Sequence, residues 1–95
     1  MAAGGGVQSV ERAFELLDIM AASGGSIGIS ELAEGTDLPM PTVHRLIGTL
    51  VSLGYVRRLP SRRYALGTKL IRLGDSASKL IGGWAKPYLA ELVRI

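Results

Sequence analysis

ISELAEGTDLPMPTVHRLIGTLVSLGYV, residues 29–56, holds two helical patterns separated by a short break, and the rest of the chain reads outward from it. In its second half Val43, Leu46, Ile47, Leu50 and Leu53 fall at i, i+3, i+4, i+7 and i+10, which gathers them into one apolar stripe on a helix from Met40 to Leu53. Thr42, His44, Arg45, Thr49 and Ser52 lie off that stripe. The outer face is therefore short, polar and hydrogen-bonding, unlike the Glu/Lys mixture of a generic solvated helix. Gly48 in mid-helix costs about 1 kcal/mol against alanine. The missing side chain there lets another backbone, of protein or nucleic acid, approach closely.

A shorter helix, Ser30 to about Gly35, precedes this one, with Ser30 as the expected N-cap and Glu31 in the first turn. Thr36, Asp37, Leu38 and Pro39 make the break: Asp37 tolerates the left-handed region and Pro39 bars continuation of the first helix. Two helices joined by so tight a turn must cross steeply, and Leu32, Ala33, Leu38, Val43 and Leu46 would fill the angle between them. This is the helix-turn-helix pattern, with Met40–Leu53 as the candidate recognition helix.

Ninety-five residues suffice for one small domain, or one domain and part of another. The apolar fraction of 47% is high for a small nucleic-acid-binding unit and points to apolar surface that meets a partner or a further domain. With no cysteine there are no disulfides and no thiolate zinc sites, which suits the cytoplasm. The opening MAAGGG reads as a flexible tail over residues 1–8, without the basic and apolar regions of a signal peptide. No apolar run approaches a membrane span, so no membrane partner is expected. The net charge of +3 is unevenly spread. Residues 1–44 carry one arginine, Arg12, against six carboxylates, a net of −5, and residues 45–95 carry ten cations against Asp75 and Glu91, a net of +8. Between Gly54 and Leu73 there are six cations and no carboxylate, either a phosphate footprint or a solvated basic surface.

Upstream, Val10, Ala13, Phe14, Leu17, Met20 and Ala21 recur at helical spacing, with Ser9 as the expected cap and Gly24-Gly25 as the stop. Glu11, Glu15 and Asp18 on the outer face would repel phosphate, so this helix is expected to support the fold on the side away from nucleic acid. Ser26 to Ile29 reads as a short edge strand. Downstream, Tyr55–Arg58 and Arg63–Leu66 read as two strands joined by a turn at Leu59-Pro60-Ser61-Arg62, the hairpin or wing of a winged helix. Tyr55 and Tyr64 are expected to face the core. Thr68 to Gly74 reads as a brief helical or irregular link. From Asp75 a helix carries Leu80, Ile81, Trp84, Tyr88, Leu89 and Leu92, kinked where Gly82-Gly83 and Pro87 interrupt it. The expected class is mainly α with a small β-wing: residues 9–73 form a winged helix-turn-helix, and 74–95 a linker and dimerisation helix using Leu80, Trp84 and Tyr88.

VQSVERAFELLDIMA, ISELAEGTDLPMPTVHRLIGTLVSLGYVRR and RRYALGTKLIRLG, in this order and spacing, resemble the N-terminal DNA-binding region of the IclR family of bacterial transcriptional regulators. The resemblance runs from about Val7 to Gly74, and KPYLAELVRI resembles the opening helix of the family's effector-binding domain. It implies a partly palindromic double-stranded DNA operator, mostly repression, and a homodimer, or a tetramer of the full-length protein. A small-molecule effector would act only through the C-terminal domain, and no cofactor is implied. Three positions depart from the pattern: Met40-Pro41 where a Lys-Ser pair is frequent, Gly35 for a small helix former, and Asp37 for a turn glycine.

Read residue by residue, Arg45 contacts a phosphate or a guanine edge, or else pairs with Asp37 or Glu34 on the surface. Thr42 caps the helix or touches phosphate, His44 and Thr49 face DNA or solvent, and Met40 with Pro41 meets a thymine methyl or covers the turn. Arg58, Arg62 and Arg63 are expected at backbone phosphate as a group, with Lys69 and Arg72 next. His44 is the only histidine and has neither a second ligand nor a nucleophile beside it, so neither a metal site nor an enzyme is expected. The alternative is a winged helix that binds protein, which would put apolar or acidic residues on the exposed face of the recognition helix.

Overall fold

The computed structural model describes residues 6–81. In chain order they form α1 (Gln8–Ala21), α2 (Ile29–Thr36), α3 (Met40–Leu53), β1 (Val56–Arg58), β2 (Tyr64–Leu66) and α4 (Lys69–Ile81). This is the expected winged helix-turn-helix, three helices closed by a two-stranded antiparallel wing and followed by a fourth helix. Of the tail expected over residues 1–8, residues 1–5 lie outside the described residues and Gln8 already opens α1; the kink at Gly82-Gly83 and Pro87 and the dimerisation residues Trp84 and Tyr88 also lie outside them.

Two helix starts differ from expectation. α1 begins at Gln8 behind an extended Val7, whose carbonyl accepts from the N–H groups of Val10 (3.0 Å) and Glu11 (3.1 Å), so Ser9 sits inside the first turn and does not cap it. α2 begins at Ile29 behind Gly28, and Ser30 is its second residue. Here Glu31 turns back and its Oε1 accepts the Gly28 N–H at 3.0 Å, taking over part of the capping role assigned to Ser30.

The turn between α2 and α3 behaves as its residues require. Asp37 takes φ +60°. Thr36 is buried; its hydroxyl donates to Ala33 O (3.1 Å) and accepts the Leu38 N–H (3.2 Å), bridging the end of α2 to the chain that leaves it. Pro39 then stands at the N-cap of α3, its carbonyl accepting from Thr42 and Val43, with Pro41 in the first turn where a missing N–H is harmless. α3 stops at Gly54 (φ +91°): Gly54 N–H donates to Val51 O and Tyr55 N–H to Leu50 O, the two bonds of a Schellman end.

Leu16, Leu17 and Met20 of α1, Leu32 of α2, Val43, Ile47 and Leu50 of α3, Ile27, and Val56 and Tyr64 of the wing form one core. The α3 stripe matches the expected face except at its end, where Leu53 is exposed. On α1 the apolar arc is broader than its buried part. Leu16 is fully buried, while Val10 and Phe14 are exposed, Phe14 at 61%. Helical spacing defines an arc but not which of its edges faces inward, and α2 and α3 pack against the Leu16/Met20 edge.

In the wing Val56 pairs with Leu66, Arg57 with Ala65 and Arg58 with Tyr64. The expected third strand is reduced to one bridge, with Ile27 exchanging both backbone bonds with Tyr64 at 2.9 and 2.8 Å. Gly67 donates to Tyr55 O at 2.8 Å, and a Cβ on it would run into the Gly54 carbonyl oxygen. After it the chain enters α4 directly. The segment read as a link is the start of one helix from Lys69 through Gly74 to Ile81, because Leu70 packs on the core and anchors it.

Candidate nucleic-acid interface

With Val43, Ile47 and Leu50 turned into the core, α3 presents Met40, Pro41, His44, Arg45, Gly48, Thr49 and Ser52 to solvent. Thr42 is half-buried on the flank toward α1. The Thr49 hydroxyl donates to Arg45 O (3.1 Å) and that of Ser52 to Thr49 O (2.9 Å). Both hydroxyls spend their proton on their own helix and keep lone pairs outward, so as placed they are acceptors and not donors. Nothing among the described residues lies within 4 Å of a Cβ added at Gly48, so none of their elements uses the gap its missing side chain leaves.

Arg45 makes neither of its alternative pairings. The ion pairs among the described residues are Arg63–Glu31 and Lys79–Asp75, and Asp37 and Glu34 remain apart from it. His44 is exposed and engages nothing among the described residues. No group of His, Asp and Glu there could hold a metal ion.

The wing arginines divide by role. Arg58 and Arg62 are exposed, and their side chains make no hydrogen bond or ion pair among the described residues. Arg62 sits in the turn at φ +70°, where Leu59 N–H donates to Arg63 O (2.8 Å) and Arg62 N–H to Leu59 O (2.9 Å). Arg63, expected as a phosphate contact, is committed elsewhere. Its Nε donates to Ser26 Oγ (3.0 Å), its Nη2 to Ser26 O (3.0 Å), and its Nη1 lies 3.4 Å from Glu31 Oε1. It ties the turn end of the wing to the entry of α2. Arg57, not singled out from the sequence, holds the wing by donating to Leu66 O at 3.2 Å. Lys69 is exposed; its Nζ donates to Leu53 O (3.2 Å), covering the end of α3, and stands 5.5 Å from the Tyr55 ring centre.

Two surface depressions flank α3 on the α1 side. One is a polar cleft of about 280 Å³ lined by Gln8, Ser9 and Arg12 of α1 and by Thr42, Arg45, Leu46 and Thr49 of α3. Glu11, Glu15 and Asp18 of α1 are exposed, while its first turn borders the recognition helix. No spacing rule locates this cleft, since it depends on how α1 crosses α3. The other depression is an apolar groove of about 450 Å³ where Val10 and Phe14 of α1, Leu46 and Leu53 of α3, and Leu70 and Leu73 of α4 meet. No helix of the described residues is long and apolar enough to cross a membrane.

Residues 9–60 match the model of the IclR helix-turn-helix domain. Among curated relatives, the chain is 39% identical over 73 residues to the transcriptional repressor IclR of Escherichia coli, covering 76% of this chain and 27% of that protein. It is 38% identical over 73 residues to the acetate operon repressor of Salmonella typhimurium, again covering 76% and 27%. Among solved structures, it is similar to an IclR transcriptional regulator from Alicyclobacillus acidocaldarius (34% identity, TM-score 0.75, 79% of this chain and 31% of that one). It is also similar to an IclR-family regulator from Brucella abortus (38%, TM-score 0.69, 76% and 28%). The chain thus spans roughly a quarter to a third of the length of these proteins. An exposed, hydrogen-bonding helix on a winged helix-turn-helix, matched over residues 9–60, makes this chain a member of the IclR family of DNA-binding transcriptional regulators.

Proposed function

We infer that this chain is the operator-binding unit of a transcriptional repressor that engages a partly palindromic duplex as a homodimer. In this reading α3 enters the major groove, where Arg45, His44, Thr42 and Thr49 meet base edges and phosphate, and Met40 with Pro41 covers the first turn. Arg58 and Arg62 of the wing lie on flanking backbone or a narrow minor groove. The observation that carries it is the exposed Arg45 on α3, unpaired although Glu34 and Asp37 stand at the neighbouring helix end. A guanidinium left without a carboxylate is poised for a phosphate or a guanine. The division into an operator-binding unit over residues 9–73 and a linker from residue 74 belongs to the same reading. So do the cytoplasmic setting and a small-molecule effector bound by a C-terminal domain.

Dimerisation is supported by apolar side chains left in water. Leu80 is 88% exposed on α4, and Val10, Phe14, Leu53, Ile71 and Leu73 are exposed as well. Selection of bound sequences from random duplex DNA tests the whole reading. The expected product is a pair of inverted half-sites, bound with an affinity that falls steeply with salt. Recovery of unrelated sequences with flat salt dependence overturns it.

A further inference from the structure

We propose that α1 and α3 together form a phosphodiester clamp, in which Arg12 joins Arg45 on one backbone phosphate of the bound duplex. The inference rests on the DNA-binding reading above and extends it to a helix otherwise expected to face away from nucleic acid.

The cleft between the two helices has an unusual inventory. Gln8, Ser9 and Arg12 share one side of α1 at i, i+1 and i+4, and opposite them stand Thr42, Arg45 and Thr49 of α3. Among the described residues no carboxylate lines the opening. Arg12 is half-buried and makes no hydrogen bond or ion pair among the described residues, and Arg45 likewise makes none with its side chain. Glu15, three residues beyond Arg12, stands at a spacing from which helix side chains commonly pair, and no pair forms. Two like charges on one cleft repel, the more so where one is partly out of water. An anion between them removes that repulsion and takes up the guanidinium donors left idle. Ser9 and Thr42 add hydroxyls to the same opening, and although Thr49 has given its proton to Arg45 O, Gln8, Ser9, Thr42 and the two guanidiniums supply donors to an anion's oxygens.

The charge distribution points the same way. Arg12 is the only cation in the first 44 residues, a segment with six carboxylates. Glu11, Glu15 and Asp18 face solvent away from the cleft, whereas this single arginine borders the recognition helix. A duplex lying on α3 would pass one strand of its backbone over this side, where phosphate contacts set register without reading sequence.

The test compares wild type with Arg12→Gln, Arg12→Met and Arg12→Lys. Affinity is measured over a series of salt concentrations for the duplex that wild type selects and for an equally long duplex of mixed sequence. Removing the charge with Gln or Met should lower the slope of log K against log salt by about 0.9 per subunit. It should also weaken both duplexes by a similar factor, about tenfold. Lys should restore the slope. An unchanged slope in either charge-neutral variant overturns the clamp, as does a loss confined to the selected duplex, which would make Arg12 a base reader. If both neutral variants lose the fold by circular dichroism, Arg12 is a structural residue and the clamp is again overturned. A wild type that binds neither duplex overturns the DNA-binding reading itself, which separates that failure from this one.

Discussion

α3 has two exposed margins that differ in what they leave unsatisfied. Along its outward strip, the side chains of Arg45 and His44 stand without partners among the described residues, while Thr49 and Ser52 donate to their own helix and keep lone pairs free. Along its margin toward α4, Leu46 and Leu53 border the groove shared with Val10, Phe14, Leu70 and Leu73. Water hydrates the first margin well, so its idle donors cost little until an anion displaces that water. Water hydrates the second poorly, at about 25 cal/mol per Å² of apolar surface. One helix therefore presents chemistry for a charged polymer on one side and for a protein surface on the other.

The comparison requires a firmly seated α3, and the largest effect tests that seat. Ile47→Ala, at the fully buried centre of the inner face, should cost about 2–5 kcal/mol in urea unfolding and take most of the stability of so small a domain. A loss under ~1 kcal/mol would mean that α3 is not anchored by this contact. Arg45→Ala should weaken duplex binding by about 1–3 kcal/mol and leave the melting free energy within ~0.5 kcal/mol. Equal losses of both would show that the outward strip is structural.

Arg62 and Arg63 are adjacent in the chain and sharpen the contrast. Arg63→Gln should destabilise the fold by about 1 kcal/mol, mainly through its bonds to Ser26, since the pair with Glu31 is half exposed and screened. It should leave the salt slope of binding intact. Arg62→Gln should do the reverse, lowering the slope by about one with little change in stability. Paired titration and melting curves decide between them. The smallest effect on stability belongs to Phe14→Ser, within ~0.5 kcal/mol because the ring is already largely in water. Sedimentation equilibrium should nonetheless show weaker self-association, and an unchanged association constant would remove the groove from the dimer interface.

The expectation of leftover apolar surface was placed between Leu80 and Leu92. Among the described residues such surface begins further upstream, at Val10 and Phe14 and along α4 from Ile71. The uninterrupted run of α4 from Lys69 adds Ile71 and Leu73 to the expected and exposed Leu80. Gly74 suggested a break, but a glycine costs about 1 kcal/mol in a helix, less than the packing of Leu70 against the core can return.

Local chemistry was enough to place α3 and the wing. The ends of α3 follow from Pro39, which restricts the residue before it, and from Gly54, which accepts a left-handed conformation; both act within a residue or two. The hairpin register follows from its short turn in the same way. Only packing could select the Leu16 edge of α1, bring Arg63 to Ser26 across 37 positions, and put Arg12 and Arg45 on one cleft. Those outcomes depend on the angles at which helices cross, and crossing angles are set by the interlocking of many side chains far apart in the chain.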